Sequence, residues 1–325
     1  MKVRTKLVAG AGALAVSALI LAGCGSGKPV TDDQSEGAAP AEGGDTKISV
    51  GFSISTLQNP FFVSMKEGVD EAAKSENVDL HFADAGDDAN KQANDVLNFI
   101  AEGVDVVVLN PTDGAAIASS VEALNDAGIP VITVDRTSDG GEVVAHIGTD
   151  NVTAGEVTAQ FFLEAIGGAG DIAILEGVPG ASSAIDRGEG FENVLADFPD
   201  VKVVANQTAN YQREEGMTVA QNILQANPAL VGFLSMNDEM ALGAIEAIKS
   251  AGLTDQVKTI GIDGGADAVK AVCEGTMVAT VAQQSKLMGS LSIEQAVKLA
   301  KGETIEASQP VDVVVIDESN CNDYL

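Results

Sequence analysis

The stretch Ser55–Phe62, S-T-L-Q-N-P-F-F, decides how the chain is read. It follows the apolar run Ile48–Ile54, which has the length and composition of a buried strand, and precedes a helical pattern. Pro60 fixes its own φ and lacks a backbone donor, so it suits the first turn of a helix. Asn59, Phe61 and Phe62 therefore stand at the carboxyl end of a first strand, the edge where open α/β sheets bind ligands. An amide beside two aromatic faces suits a small molecule with hydroxyls on its edge and C–H bonds on its faces. The same two phenylalanines also suit the core under a helix, so the case rests on what ends the later strands.

Outward from this stretch, short apolar runs alternate with longer amphipathic ones. Strands are expected at Ile48–Ser53, Val78–Phe82, Val104–Leu109, Ile129–Val134 and Val143–Ile147, with helices at about 60–76, 88–102 and 113–127 between them. The runs V-D-V-V-V-L and I-P-V-I-T-V are β-branched with little alternation, as in a parallel sheet covered on both faces. Asn77, Gly103 and Gly128 fall where helix ends favour left-handed backbone. The pattern then restarts, with strands at Asp171–Leu175, Val201–Val204, Val231–Leu234, Val257–Ile262 and Val278–Ala282 and helices between. Two similar β/α series imply two lobes with a cleft between them. A last helix at 284–301 and a strand at Val311–Ile316 return across to the first lobe and back.

Polar residues recur just past these strands. Asn110 follows the third strand, Asp135 and Arg136 the fourth, Asn237 the strand at Val231–Leu234, Asp263 the strand at Val257–Ile262, and Gln283 the next. Such planar groups make two hydrogen bonds at once, the chemistry that holds vicinal hydroxyls. Asp113 and Asp238 are read as helix caps and left out of the site. Asp135 and Asp263 are also weighed as a glycosidase carboxylate pair. Each has candidate hydrogen-bonding partners that should keep it ionised, an adjacent arginine lowers a carboxylate pKa, and no nucleophile motif, P-loop or dinucleotide fingerprint follows a strand, so binding without catalysis and without a cofactor is expected.

Composition narrows the partners. With 48 acidic and 18 basic residues in 325, the net charge of -30 argues against nucleic acid. Two histidines and no Cys/His cluster argue against a transition-metal site. Lys2, Arg4 and Lys6 precede the apolar run Leu7–Leu21, which is shorter than the ~20 residues of a membrane span and ends at Leu21-Ala22-Gly23-Cys24. L-A-G-C resembles the bacterial lipoprotein signal, which makes Cys24 the lipidated first residue of the mature chain. Residues 24–46 are rich in Gly, Ala, Pro, Asp, Glu and Ser and read as a disordered tether. Cys273 and Cys321 are compatible with a bridge that pins the C-terminal tail or with two free thiols.

Taken in order, S-T-L-Q-N-P-F-F, N-P-T-D at 110–113, I-P-V-I-T-V-D-R at 129–136, H-I-G-T-D-N at 146–151, R-G-E-G-F at 187–191 and N-D-E-M-A-L-G-A at 237–244 resemble the ribose-binding proteins of bacterial ABC importers. The likeness runs from about Lys47 to Ile316. It implies an α/β protein of two Rossmann-like lobes, the periplasmic binding protein type I arrangement, joined by a three-strand hinge and closing on a ligand in the cleft. The expected organisation is a signal peptide at 1–23, the tether at 24–46, a first lobe of 47–149 plus 284–310, and a second of 150–283 plus 311–325. Sugar contacts carried over by motif are Asn59, Phe61, Phe62, Asn110, Asp135 and Arg136 from the first lobe. From the second lobe and hinge come Arg187, Tyr211, Asn237, Asp263 and Gln283, with Phe61 and Tyr211 on opposite faces of the sugar ring.

Three departures bear on the ligand: Ile262 where the family often has a Phe, Tyr211 where it has a Phe, and Ile185 where an Arg is common. D-ribose is expected first, with allose, allulose, another pentose or polyol, or an autoinducer-type signalling sugar as alternatives. The implied partners are an ABC permease with its separate ATPase, and a membrane through the lipid anchor. The protein itself is expected as an exported monomer. Changing Cys24→Ala is expected to release the protein from the membrane fraction; retention there would count against the anchor.

Overall fold

The computed structural model describes residues 47–325, so the expected signal peptide, the expected tether and Cys24 lie outside the described residues. Five of the helices among the described residues begin at a side-chain oxygen that caps them. Asn59 has extended backbone and its Oδ1 accepts the Phe61 N–H at 2.9 Å, ahead of Pro60 at the start of α1 (Pro60–Ser75). Asp88, Asp113 and Asp150 cap α2 (Ala89–Glu102), α3 (Gly114–Asp126) and α4 (Asn151–Ala165) in the same way. Asn77, Gly103 and Gly128 all take positive φ, as their places at helix ends predict. Asp238 departs from expectation. It is the first residue of α7 (Asp238–Ala251), and the cap is Asn237, whose Oδ1 accepts the Met240 N–H at 3.0 Å.

The strands form two six-stranded sheets of like order. In the first, β1 (Ser49–Ile54) lies between β2 (Asp79–Asp84) and β3 (Val106–Leu109), followed by β4 (Val131–Val134), β5 (Ala145–Gly148) and β11 (Ser308–Pro310), all parallel. In the second, β6 (Gly170–Glu176) lies between β7 (Val201–Thr208) and β8 (Leu230–Ser235), followed by β9 (Lys258–Asp263), β10 (Ala279–Ala282) and an antiparallel β12 (Val314–Asp317). Each sheet thus reverses its winding beside its first strand, and the carboxyl ends there are open to a ligand. The tail differs from the single strand expected at Val311–Ile316. Ser308–Pro310 joins the first sheet and Val314–Asp317 the second. Ser-Gln-Pro has no apolar alternation to announce a strand, and Pro310 is tolerated because β11 is an edge.

The unalternated V-V-V-L of β3 has a direct explanation. Val106 and Val108 pack with Val50, Phe52 and Ile54 under α1 and α9 (Ser285–Ala300), while Val107 and Leu109 pack with Phe99, Val121 and Leu124 under α2 and α3. Successive side chains face opposite ways, and both faces are core. Helix α9 belongs to this first layer because it lies backbone-close on α1. A Cβ on Gly68 would come within 2.0 Å of the Lys286 carbonyl oxygen, and one on Gly289 within 2.1 Å of the Met65 carbonyl oxygen. The chain therefore passes between the lobes after β5, after β10 and after β11.

Cys273, at the end of α8 (Ala266–Cys273), is bonded to Cys321 in the final turn, Cys321–Asp323. The bridge closes a loop with a sequence separation of 48 and pins the tail beside β12. Replacing both cysteines by serine is expected to lower stability by up to about 4 kcal/mol, the chain-entropy estimate for such a loop, measured by denaturant unfolding.

Candidate functional site

The strand ends of both lobes meet across a narrow cleft. Asn59, Phe61, Phe62, Asp135 and Arg136 line it from the first lobe, and Ser183, Arg187, Tyr211, Asn237 and Asp263 from the second. All the expected contact residues are thus brought together except Asn110 and Gln283, which stand one layer behind. The inner cleft encloses about 20 Å³, because the lobes already touch. The Gly114 N–H donates to the Gly180 carbonyl at 3.1 Å, and the Thr137 N–H donates to Ser182 Oγ at 2.9 Å. Outside it lies a chamber of about 330 Å³ that adds Asp87, Asn210, Arg213 and Glu239 to its walls. Asn59, Phe62, Arg136 and Tyr211 line both spaces and separate them.

In the first lobe Asn59 has its oxygen taken by the helix cap, which leaves its amide NH₂ for the cleft. Phe61 and Phe62 meet edge to face, with ring centroids 5.2 Å apart, and both line the cleft while belonging to the first lobe's core. Asn110 is fully buried. It accepts the Ser55 N–H at 3.1 Å and donates at 3.1 Å to both the Val134 carbonyl and Asp135 Oδ2. It holds Asp135 in place, while Asp135 faces the cleft. Arg136 donates to the Pro111 carbonyl at 3.2 Å, and its guanidinium carbon lies 5.2 Å from the Phe62 ring centre and 5.6 Å from that of Tyr211.

In the second lobe α5 (Ser182–Leu195) presents Arg187. Its Nε donates to Asn151 Oδ1 at 2.9 Å, its Nη1 donates to the Met236 carbonyl, and its Nη1 lies 4.0 Å from Asp263 Oδ1. Tyr211 shares a hydrogen bond of 3.2 Å with Ser183, and a Cβ on Gly177 would fall 2.0 Å from its ring, so glycine there makes the space for the ring. Burial pushes the Tyr211 phenol above its ordinary pKa, and it stays protonated. Asn237 caps α7 with its oxygen and donates to the Tyr211 carbonyl at 3.4 Å. Gln283 is fully buried with Nε2 3.5 Å from Asp263 Oδ1, and its Oε1 has no partner among the described residues.

Three cleft residues other than glycine hold positive φ: Asp135 at 62°, Tyr211 at 60° and Asp263 at 141°. Each such conformation costs on the order of 1 kcal/mol or more and persists only where surrounding contacts dictate it. Ser183 and Asn151 escaped the strand-end rule because they sit in the first turns of helices. Asn151 closes the motif H-I-G-T-D-N, which was the available signal. Of the three departures, Ile262 is fully buried in the second lobe's core, and Ile185 is 60 % exposed and lines neither space, so Tyr211 is the one that reaches the cleft.

The expectation that Asp263 stays readily ionised needs correction. Burial, followed by the nearby Asp238, raises its pKa well above the ordinary carboxylate value despite Arg187. Burial likewise pushes Asp238 up to about 6. A carboxyl whose folded pKa is raised contributes stability that is full below its unfolded value and is lost as pH rises through the folded one. Acidifying from pH 7.5 to 5 is therefore expected to add on the order of 1 kcal/mol through Asp238. Denaturant titrations should show Asp238→Asn gaining less than the parent protein by at least that amount.

Residues 50–304 match the model of the periplasmic binding protein domain. The ribose import binding protein of Bacillus subtilis is 40% identical over 294 residues, covering 90% of this chain and 93% of that protein. An ABC transporter periplasmic solute binding protein of Actinobacillus succinogenes, solved with bound D-allose, has a TM-score of 0.81 at 35% identity, covering 86% of this chain and 100% of that one. A solute binding protein of Bacillus halodurans, solved with myo-inositol, has a TM-score of 0.83 at 33% identity, with 86% and 98% covered. Strand order, the paired lobes and these likenesses agree: the chain belongs to the ribose-binding protein family of periplasmic binding proteins.

Proposed function

We propose that this chain is the sugar-binding lipoprotein of a bacterial ABC importer, that it takes D-ribose or a closely similar pentose or polyol, and that it delivers the closed complex to a permease. The observation that carries the reading is the convergence of Asp135, Arg136, Arg187 and Asp263 with Phe61, Phe62 and Tyr211 on one cleft. Carboxylates accept from sugar hydroxyls, guanidinium and amide groups donate to them, and the aromatic faces cover the C–H surfaces of the ring. A neutral polyol satisfies these groups without adding charge to a buried site. Allose and myo-inositol, bound by similar proteins, present the same chemistry and stand as alternative ligands.

The mechanism is hinge closure. Sugar held by Asp135 and Arg136 of the first lobe gains Arg187, Asn237 and Asp263 only when the lobes meet, so it stabilises the closed state by its differential affinity. The bend lies at the three crossings, near 149/150, 283/284 and 310/311. Among the described residues no helix is long and apolar enough to cross a membrane. Attachment in this reading comes through lipid on Cys24, with residues 24–46 as the tether. The acidic lobe surfaces would meet basic permease loops, and the ATPase is a separate chain. The role is binding and transport, with no reaction assigned.

Thermal unfolding of the fragment from Lys47 against D-ribose, D-allose, xylitol, myo-inositol and related sugars tests this. Ligand at 100 times its dissociation constant adds about 2.7 kcal/mol, and the largest shift is expected with D-ribose. Asp135→Asn and Arg187→Gln should each weaken binding by about 2 kcal/mol or more, roughly thirtyfold. A shift with no sugar, or full affinity in both variants, would overturn the assignment.

A further inference from the structure

Asp238 is a carboxylate the binding reading does not use, yet it is 2 % exposed and fully engaged. Its Oδ2 accepts the Gly265 N–H at 2.8 Å and its Oδ1 accepts the Thr280 hydroxyl at 2.7 Å. Thr280 Oγ1 in turn accepts the Gly264 N–H at 3.1 Å. The first residue of α7, the turn Asp263-Gly264-Gly265 and strand β10 are thereby closed into one hydrogen-bonded ring. The chain makes room for this arrangement: a Cβ on Gly261 would lie 2.2 Å from Asp238 Oδ1. Asp263 itself sits at φ 141°, a conformation that needs enforcement from outside the residue.

We propose that Asp238 is a positioning residue for the cleft carboxylate of Asp263, holding the turn that carries it and controlling through its own charge when Asp263 is a free acceptor. This rests on the reading that Asp263 contacts the sugar. The charged groups around the pair are few and identified. Arg187 at 4.0 Å favours the ionised Asp263, Asp135 across the cleft disfavours it, and Glu239, next along α7, disfavours ionised Asp238. Burial raises both pKa values, and for Asp263 the repulsion from Asp238 adds to it. Protonation removes a charge-assisted acceptor from the cleft, so affinity falls on acidification. With Asp238 neutralised, Asp263 keeps its charge to lower pH.

The test combines a ligand-free and a ligand-bound measurement on the whole protein. Carboxyl ¹³C shifts of Asp263 are followed from pH 4 to 8 in the parent and in Asp238→Asn, and D-ribose affinity is measured by calorimetry over the same range. Asp238→Asn is expected to lower the Asp263 midpoint by about one pH unit, making the variant up to about tenfold tighter than the parent on acidification, each relative to its own affinity at pH 8, while Asp238 of the parent is still ionised. Thr280→Val, which cuts the ring and keeps the charge, should weaken binding about tenfold at pH 7.5, and Thr280→Ser should restore it; this pair also serves if Asp238→Asn does not fold. An unmoved Asp263 midpoint in Asp238→Asn, or equal affinities for Thr280→Val and Thr280→Ser, would overturn the positioning role. Undiminished ribose binding in Asp263→Ala would instead remove the sugar contact on which the inference rests, whatever the ¹³C shifts show.

Discussion

Asp135, Arg136 and Arg187 are almost wholly withdrawn from water, and the Asp263 side chain is 8 % exposed, along the line where two sheets meet. Each such charge costs several kcal/mol unless partners surround it, and much of the local architecture consists of those partners. Asn110 donates to Asp135, the Pro111 carbonyl receives Arg136, Asn151 and the Met236 carbonyl receive Arg187, and the ring around Asp238 holds Asp263. The arginines lie near their acids at 3.7 and 4.0 Å, beyond hydrogen-bonding distance, and Arg136 Nε has no hydrogen-bond partner among the described residues. The site is thus held by its surroundings and keeps hydrogen-bonding capacity for a ligand.

The parallel sheets make such an arrangement possible. Every β/α unit ends its strand on the same edge, so a polar residue placed after a strand reaches that edge whatever its distance along the chain. This is why Asn59, Asp135, Arg136, Asn237 and Asp263 were legible without coordinates. The doubly buried strands were legible for a related reason: Val106–Leu109 lacks alternation because it faces α1 and α9 on one side and α2 and α3 on the other.

What escaped the sequence is what depends on orientation. Asn110 and Gln283 obey the same strand-end rule as Asp135, yet their amides turn inward and support their neighbours. Asn237 and Asp238 are adjacent acceptors at a helix start, and nothing in their order says which one caps. Packing decides, because Gly261 leaves a space only for Asp238. Ser183 lies on a helix opposite a tyrosine, a contact no periodicity announces. Short edge strands such as Ser308–Pro310 carry no hydrophobic pattern, since they bury almost nothing.

The chain has no tryptophan and two tyrosines. Tyr324 lies half exposed near the end of the chain, whereas Tyr211 is buried in the cleft against two guanidinium groups, with its hydroxyl on Ser183. Tyr211 is therefore the one buried tyrosine, and it stands at the point where the lobes meet. Circular dichroism between 270 and 290 nm, where phenylalanine absorbs little, sums Tyr211, Tyr324 and the Cys273–Cys321 disulfide, and a ligand in the cleft acts on the first of these.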